Sequence, residues 1–454
     1  MSIEQTQPKP KGDLRLPISF MIAVLVVVWV IAAIVDPAAI GLPFDHPVVS
    51  DADAWKACGA SFHHKPLRYL LLNHVEDIKD LLYSFAQPFV LLLMFRTNLC
   101  SRIEGLTRHS RYTKFLTIPI CVLLCLVFRF YFVCLLDLVF HHAIPFFLGF
   151  VQFSSSGWFG DMYSRSILTA WAYDGMYDVA TCALILWLRR LEFKTWPVYL
   201  WAFLAIAGQI GWSPPSTKPR PTALTASPHQ YSYMSQLEMK AGLEGTRFYD
   251  RADRTYWLNA ATNAYHGRYR IYVEPTSFRY LTDNELQAEI AHELGHVYYD
   301  HARKDLVLYL IFDLYIWIVI GVILSRTFRK STTPDGERFE HKGQAIPVIL
   351  FVIAISQAVF VPLQCAISRH KERLADDYGS TLAGDSCYTA QLQAHMSRVE
   401  PHTNPLPIFH FLLDGHPSCH ERFDRAVMQH SGIVDLSGSD VYDPLMWLKD
   451  MRSN

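Results

Sequence analysis

The fold class this sequence predicts is mainly α: a multi-pass membrane protein of about seven helical spans, interrupted by an aqueous domain that carries a small β-hairpin. Three observations carry the prediction. The 454 residues are 51% hydrophobic and 18% charged, with the apolar residues gathered into runs rather than spread. Those runs approach the ~20 residues that cross a hydrocarbon core of ~30 Å. Between the fifth and sixth runs the period changes, and Arg268-Tyr269-Arg270-Ile271-Tyr272-Val273 alternates as a half-buried strand does.

In chain order, the uncharged run Ile18 to Val35 follows Lys9, Lys11 and Arg15 and lacks a small-residue cleavage site, so it reads as an anchor and not a removed signal peptide. Leu81 to Phe95 spans only if its helix starts earlier, near Asp77. Phe115 to Phe153 holds Arg129, Asp137, His141, His142 and Pro145, and fits one helix with a re-entrant piece or two short spans. Ser166 to Leu188 carries Asp174 and Asp178 on one helical face. Carboxylates in a membrane helix turn to the protein interior, here as a hydrogen-bonded structural pair or as a functional one. Trp196 to Trp212 has an aromatic at each end, as interfacial belts favour. Leu306 to Leu324 and Ile346 to Ile367 complete the set. The chain then divides into an N-terminal membrane region (1–212), a first aqueous part (213–304), a membrane hairpin (305–367) and a second aqueous part (368–454).

Composition excludes some functions. With 41 basic against 42 acidic residues and no basic block interleaved with aromatics, nucleic acid is not an expected partner, whereas the lipid bilayer is. The nine cysteines form no CxxC pair, and Cys121, Cys125, Cys134 and Cys182 fall in apolar runs. Neither a disulfide framework nor a cysteine metal site is expected, so any metal must be held by histidine and carboxylate.

The aqueous part opens with Pro214, Pro215, Pro219 and Pro221, a linker that cannot continue a helix. An amphipathic stretch from Met234 to Leu243 follows, then a β-hairpin turning at His266-Gly267. Thr282 and Glu285 form a capping box ahead of the apolar stripe Leu286, Ile290, Leu294 and Val297, which predicts a helix. That helix carries Ala291-His292-Glu293-Leu294-Gly295-His296. At this spacing His292 and His296 share a face and close on one ion, while Glu293 lies where it can take a proton from zinc-bound water. After the seventh run comes the polar helix Ser368 to Asp377, with Glu372 and Asp376 on one face. Glu372 suits a third ligand, and Asp376 suits the carboxylate that orients a ligating histidine. A structural zinc normally has four protein ligands, so three in register point to catalysis.

Together with the later His416-Pro417 and Glu421-Arg422, these motifs resemble the integral-membrane zinc metallopeptidases that include HtpX and the type I CaaX prenyl proteases. A metal motif after the fifth span and a third ligand after the seventh are more similar to the CaaX branch. The resemblance implies a gluzincin-type peptidase domain with one Zn2+ held by His292, His296 and Glu372, with Glu293 as general base and Asp376 behind the ligands. It further implies that Asn263, in the Asn263-Ala264-Tyr265 edge strand, and His416 meet the substrate oxyanion, and that Arg422 braces the site. The substrate would be a peptide or protein, membrane-associated or prenylated, at an inner membrane or endoplasmic reticulum type membrane. An HtpX-like quality-control protease is the alternative enzyme. A membrane scaffold or transporter with a structural or inactive metal site is the alternative outside enzymes. Two departures bear on the substrate: Ser418-Cys419-His420 follows His416-Pro417 where a second proline is common, and Val297-Tyr298-Tyr299 replaces more usual residues. Basic residues cluster before span one, between spans two and three, after span four and between spans six and seven. The positive-inside rule then puts the metal domain outside the cytoplasm, whereas CaaX proteases act on cytosolic substrates.

Overall fold

In a computed structural model of the chain, the residues described are 26–36, 49–63, 67–107, 116–147, 165–190, 195–211, 225–250, 258–265, 268–327, 331–332, 338–339, 342–399 and 406–432. Over their described residues the apolar runs are helices. Asp77–Arg96, Thr117–Phe140, His301–Thr327 and Gly343–Ala383 are long and apolar enough to cross a membrane, and Val26–Val35, Gly175–Leu188 and Trp196–Ile206 are shorter apolar helices. The second run gains its length as expected, because its helix begins at Leu67, ahead of Asp77. The third is one continuous helix over its described part, Thr117–Asp137 passing through a wider π turn at Leu138–Ala143 into Ile144–Phe147. Asp178 is half-buried, and the Asp174 side chain, like residues 148–164, lies outside what is described.

The chain separates into two units. One gathers Val75–Gly211 and Ile311–Val361 with the start of the chain. Its interior is apolar, with Cys121, Cys125, Cys182, Ile185, Ile320 and Ile346 in one buried cluster. Lipid tails are as apolar as leucine, so membrane helices associate through close packing of small residues. A Cβ on Gly321 would lie 2.6 Å from Pro197, and one on Gly343 would lie 2.3 Å from the Cys100 carbonyl oxygen.

The other unit joins Ile31–His74, Trp212–Leu310 and Pro362–Asn454. The first of these segments had no predicted place beside the other two. It is tied to them by a disulfide between Cys58 and Cys387, by ion pairs from Asp36 to Arg369 and Arg373, and by a hydrogen bond from the His63 N–H to Ser397 Oγ of 3.0 Å. The disulfide corrects the expectation that no cysteines pair. Its partners are 329 residues apart, so their spacing in the sequence carries no signal of it.

This unit contains a three-stranded sheet in the order β1-β3-β2, with β1 Arg247–Asp250, β2 Ala260–Tyr265 and β3 Arg268–Val273. β2 and β3 are the expected antiparallel hairpin, closed by Tyr265 opposite Arg268. Its turn, His266-Gly267, lies outside the described residues. β1 adds to β3 in parallel, leaving β2 at an edge. Ile271 and Val273 are fully buried in one cluster with Leu286, Ile290 and Leu294 of the helix Asp283–Tyr298, hereafter the motif helix. The predicted capping box opens that helix: the Glu285 N–H donates to Thr282 Oγ1 at 3.3 Å, and the Thr282 N–H donates to the Glu285 carboxylate at 2.8 Å.

Candidate metal centre

Two helices cross closely enough to build the site. Glu372, Ala375, Asp376 and Gly379 are spaced three and four apart, so they share one face of the long helix Lys342–Ala383. At the crossing a Cβ on Gly295 of the motif helix would lie 2.9 Å from the Ala375 backbone, and one on Gly379 would lie 2.9 Å from the His292 nitrogen. Neither position has room for a side chain. Tyr298 and Tyr378 stack across the same crossing, with ring centroids 4.3 Å apart and planes 18° from parallel. Tyr298 is one of the residues that depart from the family pattern, and stacking is its observed role here.

Because the helices touch at these glycines, the Glu372 carboxylate falls against both motif imidazoles. His292 Nε2 lies 3.1 Å from His296 Nε2 and 3.2 Å from Glu372 Oε2, and His296 Nε2 lies 3.4 Å from Glu372 Oε1. Ligand atoms about 2.1 Å from a tetrahedral zinc stand about 3.4 Å from one another. The three donors therefore match that ion in chemistry and in spacing, and three protein ligands leave a fourth position open.

Charged and polar groups surround the donors. Asp376 Oδ1 is 2.8 Å from His292 Nδ1, which fixes Nε2 as the atom that faces the other donors. Arg422 grips the same carboxylate with two nitrogens, Nε at 2.8 Å from Oδ2 and Nη2 at 2.6 Å from Oδ1. Arg422 is presented by the helix Cys419–His430, whose first turn is capped by Ser418 Oγ accepting from the Glu421 N–H at 3.1 Å. Ser418 is thus a helix cap at the position where the family often has proline. His416 Nδ1 lies 3.2 Å from Glu372 Oε2, with its side chain 72% exposed.

Two neighbours carried no usable signal in the sequence. His301 Nδ1 is 2.8 Å from His296 Nδ1, so a neutral His301 serves His296 as Asp376 serves His292. Burial, with His296, Lys371 and Lys304 nearby, pushes the His301 imidazole well below its ordinary value and keeps it neutral. Thr262 of β2 donates its hydroxyl to Glu293 Oε2 at 2.6 Å. Thr262 lines the cavity, as do Ala260 and Ala261 before it, while Asn263 is exposed and does not. The remaining expected residues, His292, Glu293, His296, Glu372, Asp376, His416 and Arg422, all line this one cavity of about 720 Å³.

The field of the site favours a cation. Burial would lower the His292 pKa, yet Asp376 and Glu372 outweigh it and raise the imidazole to about 10. Burial would raise Glu372, but hydrogen bonds from His292 and His416 and the charge of His296 hold it well below the ordinary carboxylate range. A site that retains a proton this firmly also attracts a metal ion in its place.

Comparison with known proteins agrees with this geometry. Residues 240–429, which include every donor named above, match peptidase family M48. An uncharacterized metalloprotease of Bacillus subtilis, YhfN, is 27% identical over 203 residues, 43% of this chain and 46% of that protein. An HtpX protease homologue of Tropheryma whipplei is 27% identical over 164 residues, 32% of this chain and 53% of that protein. The chain thus spans about half the length of the curated relatives it matches. The crystal structure of S. mikatae Ste24p superposes with a TM-score of 0.53 at 17% identity, over 92% of this chain and all of that one, a likeness of fold. The match to family M48 implies a metal, and the apolar helices together with the similarity to HtpX homologues support an integral-membrane protein.

Proposed function

We propose that this chain is a membrane-embedded zinc metalloendopeptidase of the gluzincin type. The observation that carries the proposal is the set of mutual distances among His292 Nε2, His296 Nε2 and the Glu372 carboxylate, which fit one zinc with an open position. Zinc, when bound, supplies Lewis acidity that acidifies water and polarises a carbonyl. The protein does the rest. Thr262 holds Glu293 Oε2 and so turns the other carboxylate oxygen toward the cavity, where it accepts the proton of the attacking water and passes it to the leaving amine. Asp376, clamped by Arg422, keeps the His292 tautomer and orientation fixed, and His301 does this for His296. His416, exposed to the cavity beside Glu372, donates a hydrogen bond to the substrate carbonyl oxygen as negative charge develops on it. An extended peptide adds to the free edge of β2 by backbone hydrogen bonds, and Asn263 takes part as a residue of that edge.

The test uses the full chain in detergent with an unfolded protein and a prenylated C-terminal peptide as separate substrates. Glu293→Gln should keep about one zinc per chain, the count of a single three-ligand site. It should lower cleavage by about a hundredfold or more. A zinc-loaded variant that still turns over at the parent rate would remove Glu293 from the chemistry. Cleavage of the prenylated peptide alone assigns the CaaX activity, and cleavage of the unfolded protein alone assigns the HtpX-like one.

A further inference from the structure

Two features that the proposed chemistry leaves unused agree with each other. The first is the Cys58–Cys387 disulfide, which joins the helix Asp51–Cys58 to the helix Cys387–Val399 within the second unit. Disulfides form and persist in oxidising compartments and are rare where glutathione and thioredoxin keep thiols reduced. Of the free cysteines among the described residues, Cys100, Cys121, Cys125, Cys134, Cys182 and Cys365 are buried, and Cys419 is partly exposed. Five of the buried thiols sit in apolar helices and Cys100 in the short helix Leu99–Thr107, where burial rather than solution redox keeps them as thiols.

The second feature is the distribution of lysine and arginine. The connection after the second apolar helix carries Arg96, Arg102, Arg108, Arg111 and Lys114, the connection after the fourth carries Arg189, Arg190 and Lys194, and the connection after the sixth carries Arg326, Arg329, Lys330, Arg338 and Lys342. Short connections this rich in Lys and Arg stay in the cytoplasm. With the four long apolar helices and the three shorter ones all counted as spans, direction alternates and the segments that follow the first, fifth and seventh helices lie together on the opposite side. Those are the three segments that fold into the second unit. They include both cysteines of the disulfide.

We infer that the metal centre faces the oxidising, non-cytoplasmic side of the membrane, and that the substrates are proteins, or segments of membrane proteins, exposed on that side. The substrate clause rests on the peptidase reading above, and the orientation does not. The inference gives the charge pattern and the disulfide one cause, and it separates this chain from a protease that trims cytosolic C termini.

The full chain, expressed in a Gram-negative host, carries alkaline phosphatase or green fluorescent protein inserted after Thr222 or, in separate fusions, after Thr333. The phosphatase matures only outside the cytoplasm. It should be active at Thr222 and inactive at Thr333, with fluorescence in the reverse order. The opposite pattern overturns the inference. Membranes are also treated with a maleimide mass tag before and after reduction. Cys58 and Cys387 should be tagged only after reduction, and the gain should vanish in the Cys58→Ser, Cys387→Ser double variant. Tagging of both thiols in unreduced membranes overturns the oxidised pair. Glu293-dependent cleavage of an unfolded protein in detergent is independent of sidedness. Its absence beside an active Thr222 phosphatase leaves the orientation standing and removes the peptidase reading. Its presence beside a cytoplasmic Thr222 reporter does the converse.

Discussion

The two units bury polar groups in different ways. In the unit of apolar helices the polar contacts are single hydrogen bonds: the Gly343 N–H donates to Glu104 at 2.9 Å, Thr107 and Thr117 share a hydrogen bond of 2.6 Å, and Gln344 donates to Asn98 at 2.6 Å. In the other unit, charged groups are buried in chains. Asp36 meets Arg369 and Arg373, Arg373 reaches Glu421, Asp377 takes a two-pronged contact from Arg425, and Asp376 links His292 to Arg422. Burying one such ion alone is strongly unfavourable, so these groups are stable only as a completed set. The first unit is held by the fit of small residues and by single hydrogen bonds, and the second by charges linked to one another in chains. A substitution in the second should therefore act beyond its own contact.

The largest effect should follow Glu372→Ala, which removes a donor and leaves His292 and His296 facing each other without a carboxylate. Metal analysis and a cleavage assay should both fall to background, because two imidazoles alone hold zinc poorly. Full zinc occupancy with full turnover would mean that another residue closes the site. Next is Asp376→Asn, which keeps the shape but removes the charge shared by His292 and Arg422. Partners behind metal ligands are worth about ten- to a hundredfold in metal affinity or activity. A zinc titration should show that loss, and an unchanged affinity would make the Asp376–Arg422 pair a brace of the fold alone.

This contrast also explains what could be read from the sequence. Hydropathy located the apolar helices, because each is specified by its own residues, and the capping box at Thr282 located the motif helix for the same reason. His292, Glu293, His296, Glu372 and Asp376 could be named because each pair lies on one helical turn. Thr262, His301 and the Cys58–Cys387 bridge could not, because their partners are set by how segments meet. Asn263 shows the same limit from the other side. The hairpin was legible, but how far along β2 the cavity reaches, to Thr262 and not to Asn263, depends on where the motif helix packs against it.

Gly379→Ala tests whether the crossing itself sets the donors. The new Cβ would press on the His292 backbone at 2.9 Å, and neither helix can yield without moving Glu372. Overpacking of this kind costs about 1–3 kcal/mol. Thermal unfolding should register that loss, and zinc affinity should fall with it. A variant that is destabilised but binds zinc as the parent does would show that the ligands adjust independently of the crossing.

The effect confined to one window of pH concerns Glu289, a carboxylate of the second unit that lies outside its ionic chains. It is buried in the cavity wall one turn before Glu293, with Oε1 3.4 Å from Ser277 Oγ and no hydrogen-bond partner for Oε2 among the described residues. Burial and the neighbouring Glu293 charge raise its pKa from 4.5 to about 8. Between those values the folded chain keeps a proton that the unfolded chain has released. The folded state thus binds more protons across that window, and its stability falls as pH rises through it. The slope is at most about 1.4 kcal/mol per pH unit. Glu289→Gln has nothing to titrate there, so relative to the parent it should gain stability from pH 5 to pH 8 and match it at the acid end. Unfolding of both proteins at saturating zinc isolates this difference, since metal binding has its own pH dependence and is common to the two. Parallel stability curves would mean that Glu289 is already ionised in the fold, with a cation or an ordered water beside it, and that buried charge in this unit is paired without exception.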